Sequence, residues 1–159
     1  MTEPPPRPLE QRKQDTLARL GRDVDAWVAT ADRDGNAYLV PLSFLWDGAA
    51  FTVTTPESSR TGRNLLSAGR VRLAIGPTRD VVLVDGAVEA FTLETVPDDV
   101  AQAFAEKLWD PREETARYAY FRITPRRIQA WREENELAGR DVMRDGRWLA
   151  CTREGRWLA

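Results

Sequence analysis

The pattern of apolar positions predicts two long helices and a larger number of short strands. Apolar residues recur at helical spacing over residues 9–20 and again over residues 97–109. Elsewhere apolar and polar residues alternate over short runs, which is typical of β-strands. The predicted strands cover residues 24–30, 36–46, 50–55, 70–75, 81–91, 118–124 and 127–131.

Turn residues between these runs predict an antiparallel sheet. Asp34-Gly35 and Asp47-Gly48 separate consecutive strands, and Asp-Gly is a strong hairpin signal. No strand-helix-strand alternation supports a parallel sheet. We therefore expect a mainly β (α+β) fold, an antiparallel β-barrel with two or three peripheral helices.

Two strands carry residues that predict irregular pairing. The strand over residues 36–46 is apolar on both faces, so we expect both faces to be buried in a barrel or at a dimer interface. Pro41 lies inside it and predicts a bulge or an unpaired edge. Gly86, in the middle of the strand over residues 81–91, predicts a bulge or a close backbone approach.

Length and composition fit one globular domain. The chain has 159 residues, 42% of them apolar and 30% charged. We expect a disordered Pro-rich lead-in over residues 1–8, a single domain over residues 9–143 and a C-terminal tail over residues 144–159. In the tail, seven residues from Arg144 recur nine positions later with one Asp-to-Glu change, and each copy can form a hairpin tip.

Charge and cysteine content predict a cytoplasmic protein without nucleic-acid or membrane partners. The formal net charge is −2, which provides no general attraction to polyanions. No apolar run is long enough for a membrane span, and the N-terminus lacks the apolar stretch of a signal peptide. The single cysteine, Cys151, cannot form an internal disulfide, which suits a reducing compartment.

The absence of histidine narrows the possible chemistry. Without any His the chain excludes Ser-His-Asp and Cys-His catalysis and zinc sites built on His, and one Cys cannot supply a Cys cluster. We therefore predict no metal site. No carboxylate pair stands out at a useful spacing, so the sequence identifies no catalytic residue.

The segment from Phe51 to Leu66 carries the candidate chemistry. A strand leads into a hydroxyl-rich turn, where Ser58 or Ser59 can cap a short helix that Gly69 ends. Free N–H groups at a helix start favour an anion, and hydroxyl and guanidinium donors suit a phosphate. Spacing alone slightly favours a plainer interpretation, a capped helix with a solvated basic face, because no phosphate-loop glycine pattern is present. The candidate phosphate donors are Ser58, Ser59, Arg60, Thr61, Arg63 and Asn64.

Over residues 15–131 the chain resembles the pyridoxamine 5'-phosphate oxidase-like superfamily of flavin-binding split β-barrels. The most specific pieces are Ser59-Arg60-Thr61 with Arg63-Asn64-Leu65, and the later Asp85-Gly86-Ala87-Val88-Glu89. The segment over residues 125–131 also resembles the closing strand of small bacterial members. This resemblance implies an antiparallel split barrel of the FMN-binding, Greek-key type.

The resemblance also implies a function and a site. It implies a flavin-dependent oxidoreductase, active as a homodimer with two cofactor sites at the interface and acting on a small conjugated substrate. The turn over residues 58–64 would hold the cofactor phosphate. By position, Val40, Pro41, Leu42 and Ser43 on one strand, and Thr54 and Thr55 on another, would flank the ring system.

The chain departs from true pyridoxamine-phosphate oxidases, which are longer and bind their substrate with His and Arg residues. Lacking His, it resembles smaller relatives that use FMN or the deazaflavin cofactor of actinobacteria. We expect FMN, with the deazaflavin as the alternative. Either cofactor transfers hydride from its own ring, so no acid or base need appear in the sequence.

Other features leave competing hypotheses open. Among six tryptophans, Trp131 is the candidate for a position near the cofactor or the dimer seam, although large aromatics usually serve packing. A non-catalytic flavin-binding or carrier protein is the alternative function. A haem protein is disfavoured because no His ligand exists, and an Arg-Trp tail that stacks on bases is disfavoured by the acidic total charge.

Overall fold

The computed structural model describes residues 4–149 as an eight-stranded antiparallel sheet with three α-helices. The mainly β, split-barrel fold class with two or three peripheral helices is thereby confirmed. The strands are β1 (Asp25–Ala31), β2 (Ala37–Trp46), β3 (Phe51–Pro56), β4 (Arg70–Ile75), β5 (Val81–Phe91), β6 (Tyr118–Trp131), β7 (Asp141–Arg144) and β8 (Arg147–Trp148). The helices are α1 (Leu9–Arg22), α2 (Arg60–Ala68) and α3 (Asp98–Lys107), with short 3-10 helices at Pro111–Glu113 and Glu134–Gly139.

Six of these strands close into a barrel. The sheet order is β3-β2-β1-β4-β5-β6, and β3 also pairs with β6. β7 and β8 extend the sheet beyond β6. Alternate residues of each strand point inward, so apolar side chains fill the barrel. Fully buried members of this core are Val28, Phe44, Val53, Leu73, Val84 and Phe121.

The closing strand β6 is one continuous element, whereas the sequence predicts two strands there. Its first half pairs with β3 and β5, and its second half with β5 and β7. The register between β5 and β6 shifts between Asp85 and Gly86, which confirms the predicted bulge and places Gly86 opposite Pro125. The bulge accommodates the missing N–H of Pro125, so the strand continues through it. A Cβ at Gly86 would lie 2.5 Å from Ile123 Cγ2, so the close approach also requires glycine.

Arg7, within the lead-in predicted to be disordered over residues 1–8, is held in place by a buried carboxylate. The Arg7 backbone N–H donates to Glu136 Oε1 at 3.0 Å, and its guanidinium donates to both carboxylate oxygens at 2.9 and 2.8 Å. The same guanidinium donates to Asp15 of α1 at 2.8 Å. These paired charges anchor the segment between α1 and the second 3-10 helix, because Arg7 and Glu136 are both largely buried.

Within the described residues of one protomer, β2 is covered on one face only, so burial of its second face at a dimer interface stays a prediction. Leu39 is 57% exposed. Trp27, on the same face of the neighbouring strand β1, is 50% exposed. Both lie on the outer face of the sheet, which no other described element covers. β2 pairs with β3 only through residues 44–46, so the unpaired edge predicted near Pro41 is confirmed.

The C-terminal tail is described only in its first copy. Asp145 and Gly146 adopt positive φ of 52° and 74° between β7 and β8, which confirms the hairpin tip predicted there. Leu149 is 4% exposed and belongs to the main core. The second copy lies outside the described residues. Across residues 4–149 the helices are all too short or too polar to cross a bilayer.

Candidate functional site

Helix α2 begins immediately after β3, at the turn that the sequence analysis singles out. Ser59 is its N-cap, and Ser59 Oγ accepts a hydrogen bond from the Gly62 N–H at 2.9 Å. Thr55 Oγ1 lies 3.0 Å from Ser59 Oγ, so the cap is tied to the end of β3. Gly69 ends the helix in the left-handed conformation with φ of 67°. The predicted cap and the predicted helix end are both confirmed.

Gly62, which the sequence analysis does not select, lets the turn close. It is buried, and a Cβ there would lie 2.4 Å from the Pro56 carbonyl oxygen and 3.0 Å from that of Glu57. Two backbone carbonyls thus pack against the bare Cα in the first turn of α2. A glycine so early in a helix, where it lowers helix propensity, was the available sequence signal.

Two residues of α2 contact one cross-strand pair of the barrel. Tyr38 of β2 and Thr30 of β1 are register partners. The Arg60 guanidinium carbon lies 4.7 Å from the Tyr38 ring centroid, and Asn64 Nδ2 donates to Thr30 Oγ1 at 3.1 Å. Positions i and i+4 of a helix share a face, which explains how both contacts form together. The sequence predicts Arg60 and Asn64 as site residues but not their two partners, because only strand register brings Tyr38 and Thr30 together.

The two arginines of the turn have different surroundings. The Arg63 guanidinium donates to the Ser58 carbonyl and so closes back on its own turn. Within residues 4–149 the Arg60 guanidinium has neither a hydrogen-bond acceptor nor an ion-pair partner, and its contact is the Tyr38 ring. A guanidinium stacked on a ring keeps its N–H groups available at its edge. Arg60 is therefore the member of the pair that can bind an added anion.

Backbone donors reinforce the same position. The N–H groups of Arg60 and Thr61 open α2 and have no acceptor within the described residues. These N–H groups form the positive end of the helix dipole, which favours negative charge. Thr61 and Asn64 are themselves buried, with 3% and 5% exposure. The start of α2 is thus suited to an anion of phosphate size.

The Asp32 carboxylate is close enough to Arg60 for the arginine charge to affect its pKa. The pKa of Asp32 is below its ordinary value, chiefly because Asn36 donates to the carboxylate through its side chain and backbone, with a smaller contribution from Arg60. Asp32 lies at the tip of the β1–β2 hairpin. Its negative charge and the Tyr38 ring therefore both draw the Arg60 guanidinium toward this hairpin.

The β2 residues predicted to flank the flavin ring lie on opposite faces of the strand. Val40 and Leu42 share a face with Tyr38 and Phe44, on the inner side of β2 beyond the point where β3 pairing stops. Pro41 and Ser43 point to the outer face, where Ser43 Oγ donates to Asp25 at 2.7 Å. β2 and β3 diverge here, and α2 spans the opening.

The two threonines of β3 also face opposite ways. Thr55 shares a face with Ala119 of the barrel core and contacts Ser59. Thr54 shares a face with Tyr120, which packs beneath α3 with Phe104. Within the described residues, Thr54 Oγ1 and Tyr120 Oη are buried without a hydrogen-bond partner. The structure thus associates Thr55, and not Thr54, with the turn at the start of α2.

Trp131 lies away from the turn within one chain. It ends β6 and pairs with Val81, whereas Tyr118, at the other end of β6, pairs with Pro56 beside the turn. The Arg140 guanidinium lies 5.7 Å from the Trp131 ring centroid. A single protomer therefore does not bring Trp131 together with Ser59 and Arg60.

An open groove of about 710 Å³ runs along the outer face of the sheet beside α2. Its floor is made of small side chains such as Ala29 and Ala87, and Arg70 and Arg126 lie at its rim. The groove adjoins Thr30, the residue that binds Asn64. Among residues 4–149, no three His, Cys, Asp or Glu side chains cluster as metal ligands would.

Comparisons with known proteins agree with this fold. A family model described as pyridoxamine 5'-phosphate oxidase matches residues 18–132. A search of curated proteins finds no match. Solved structures share the fold at low sequence identity, as three examples illustrate.

An F420 reductase superposes with a TM-score of 0.57 at 20% identity, covering 70% of this chain and 93% of its own. A FAD-binding protein from Mesorhizobium loti has a TM-score of 0.55 at 21% identity, covering 72% and 90%. The haem storage protein HutZ from Vibrio cholerae has a TM-score of 0.62 at 13% identity, covering 86% and 99%. At these identities the likeness shows the fold and leaves the ligand to be argued from the site.

Proposed function

Because the chain belongs to the pyridoxamine 5'-phosphate oxidase family, we propose that it is a flavin-dependent oxidoreductase that binds FMN by its phosphate at the start of α2. The observation that carries this proposal is the Arg60 guanidinium, which has no anionic partner within residues 4–149 and lies beside the free N–H groups of Arg60 and Thr61. A dianionic phosphate satisfies all of these donors at once. The deazaflavin cofactor of actinobacteria presents a phosphate to the same donors and is the alternative.

The surroundings of the turn fit the rest of such a cofactor. Val40 and Leu42 present apolar, half-buried side chains in the opening between β2 and β3, next to Tyr38. A flat ring placed there would displace water from these side chains. When bound, the flavin supplies hydride transfer to or from a small conjugated substrate. The chain contributes the phosphate donors, the apolar surface and the exclusion of water.

A homodimer completes this site. The outer face of the sheet presents Trp27 and Leu39, exposed to 50% and 57%, with Pro41 and Ala74 as register neighbours of Trp27. Adjacent large apolar residues on one flat face suit a protein–protein interface. A second copy on this face would bury them. If Trp131 lies near the cofactor, the partner subunit must supply it, because Trp131 of the same chain lies away from the turn.

Replacing Arg60 by alanine tests the phosphate assignment. We expect FMN affinity to fall roughly 10- to 150-fold, because a hydrogen bond to a charged group is worth about 1.5–3 kcal/mol. Riboflavin, which lacks the phosphate, should bind wild type and variant alike. Titration of apo-protein followed by flavin fluorescence measures both. Arg79→Ala, which removes an 83% exposed charge far from the turn, is the matched control, and an unchanged FMN affinity in Arg60→Ala would overturn the assignment.

Replacing Leu39 by glutamate tests the dimer. We expect the wild-type protein to sediment as a dimer and Leu39→Glu to sediment as a monomer with weakened FMN binding, because the charge would be buried unpaired. Leu66→Glu is the matched control, since Leu66 is 54% exposed but lies on α2. A monomeric wild-type protein at micromolar concentration, or a dimeric Leu39→Glu variant, would contradict the proposed interface.

A non-catalytic flavin-binding or carrier role is the second candidate. It is favoured by the chain's lack of histidine and of an evident acid–base pair. Reducing the bound FMN without oxygen and then adding a quinone separates the two roles. Reoxidation much faster than that of free reduced FMN supports the oxidoreductase, whereas an equal or slower rate supports the carrier.

A further inference from the structure

We infer that Tyr38 is a positioning residue, which holds the Arg60 guanidinium in place for the cofactor phosphate and so makes the site selective for phosphorylated flavins. This inference rests on the proposed function. It starts from the 4.7 Å separation between the Arg60 guanidinium carbon and the Tyr38 ring centroid. At that distance the cation interacts favourably with the face of the ring.

The ring restricts a side chain that would otherwise be mobile. Arg60 is exposed and is the first residue of α2, so nothing in the helix itself orients its guanidinium. An unrestrained arginine loses rotamer entropy when a ligand immobilises it. Because the Tyr38 ring already restricts the Arg60 side chain in the free protein, less rotamer entropy is lost when a ligand binds. The guanidinium carbon lies over the ring, and within residues 4–149 no acceptor occupies the guanidinium N–H groups, so they can donate to an anion.

Strand register keeps the ring itself in position. Tyr38 is half-buried and opposite Thr30, and Thr30 Oγ1 accepts from Asn64 Nδ2 at 3.1 Å. Arg60 and Asn64 occupy positions i and i+4, so α2 is docked on the β1–β2 pair at two points one turn apart. On its other side the helix start is joined to β3 by Thr55 and Ser59. The guanidinium is therefore oriented relative to two strands that diverge around the proposed ring site.

The charges that surround Arg60 favour the same orientation without neutralising it. Asp32 lies close enough for Arg60 to contribute to the lowering of its pKa, but its carboxylate is already bound by the Asn36 side chain and backbone N–H. Arg63 donates to the Ser58 carbonyl. The Arg60 charge thus remains for an external anion, and its orientation depends on the aromatic ring.

The test is a double-mutant cycle read with two ligands. Apo forms of wild type, Tyr38→Leu, Tyr38→Phe, Arg60→Ala and the Tyr38→Leu/Arg60→Ala double variant are titrated with FMN and with riboflavin. We expect Tyr38→Leu to weaken FMN binding about two- to fivefold, the range of an exposed cation–π contact, and to leave riboflavin binding unchanged. Tyr38→Phe keeps the ring face and should retain wild-type affinity. In the Arg60→Ala background, Tyr38→Leu should not lower FMN affinity any further.

Three outcomes would overturn the inference. If Tyr38→Leu weakens the binding of FMN and of riboflavin equally, Tyr38 contacts the flavin ring or merely supports the fold. If Tyr38→Leu lowers FMN affinity by the same factor in the wild-type and Arg60→Ala backgrounds, the two residues act independently. If Arg60→Ala weakens FMN binding and Tyr38→Leu does not, the proposed phosphate site is supported but Tyr38 does not position Arg60. Equal FMN affinity in wild type and Arg60→Ala would instead remove the proposed phosphate site.

Discussion

Replacing Glu136 by glutamine is expected to lower the free energy of unfolding by about 3 kcal/mol at pH 7. The Glu136 side chain is 4% exposed and binds Arg7, which is 13% exposed, at 2.8 Å. It also accepts from the backbone N–H groups of Arg7 and Arg132, at 3.0 and 2.8 Å. Removing the negative charge leaves the Arg7 guanidinium largely buried with a weaker partner, which is costly.

Acid should remove the same contribution. The hydrogen bond from the Arg7 side chain is the largest cause of the lowering of the Glu136 pKa, from 4.5 to about 2. A carboxylate whose pKa is depressed in the folded state stabilises fully above its unfolded pKa, and this contribution is lost as the pH falls toward the folded pKa. The difference in unfolding free energy between wild type and Glu136→Gln should therefore be constant above about pH 5.5 and shrink steadily toward pH 2.

Urea unfolding at pH 7, 5 and 3 measures both effects. Glu134→Gln is the matched control, because Glu134 is exposed in the same 3-10 helix, and it should change stability by less than about 0.5 kcal/mol. A Glu136→Gln variant as stable as wild type at pH 7 would show that the Arg7 contact contributes nothing net. A difference that stays constant down to pH 3 would contradict the assigned pKa.

Replacing Gly62 by alanine is expected to weaken FMN binding by roughly 100-fold, about 3 kcal/mol, which is equivalent to two hydrogen bonds to a charged group. The new Cβ would lie 2.4 Å from the Pro56 carbonyl oxygen, so the turn must open. Ser59 Oγ would then lose its bond from the Gly62 N–H, and the donors at the start of α2 would move together. Overpacking of this kind also costs about 1–3 kcal/mol of stability.

Gly21→Ala is the control for this substitution. Gly21 lies near the end of α1 with no atom within 4 Å of an added Cβ, so alanine should leave stability unchanged or raise it by up to about 1 kcal/mol. FMN affinity should remain that of wild type. A folded Gly62→Ala variant that binds FMN as wild type does would show that the tight turn is not required for the cofactor.

Local patterns sufficed for much of the fold and for part of the site. Alternation over residues 70–75 and 81–91 predicted β4 and β5 with their observed bounds. Ser59 and Gly69 predicted the ends of α2, because cap residues act within one turn of chain. The turn over residues 58–64 was likewise singled out from neighbouring residue types, and its binding of a phosphate stays a prediction.

Errors arose where a local signal competed with distant pairing. Thr124-Pro125 predicted a break between two strands, but pairing with β5 on one side and the bulge at Gly86 carry β6 through it. The Pro-rich composition of residues 1–8 predicted disorder, but Arg7 meets Glu136 across 129 positions of sequence. In both cases a long-range contact outweighed the local preference.

The sequence by itself determined which segments alternate and where α2 is capped, since these depend on residue type and near neighbours. Only the tertiary structure decided that Tyr38 and Thr30 stand together under Arg60 and Asn64, that Thr55 rather than Thr54 reaches the turn, and that Trp131 lies away from it. The physical reason is that strand register and the two-residue alternation of a sheet set which side chains meet. Both are fixed by pairing between distant segments, with the buried core selecting one register.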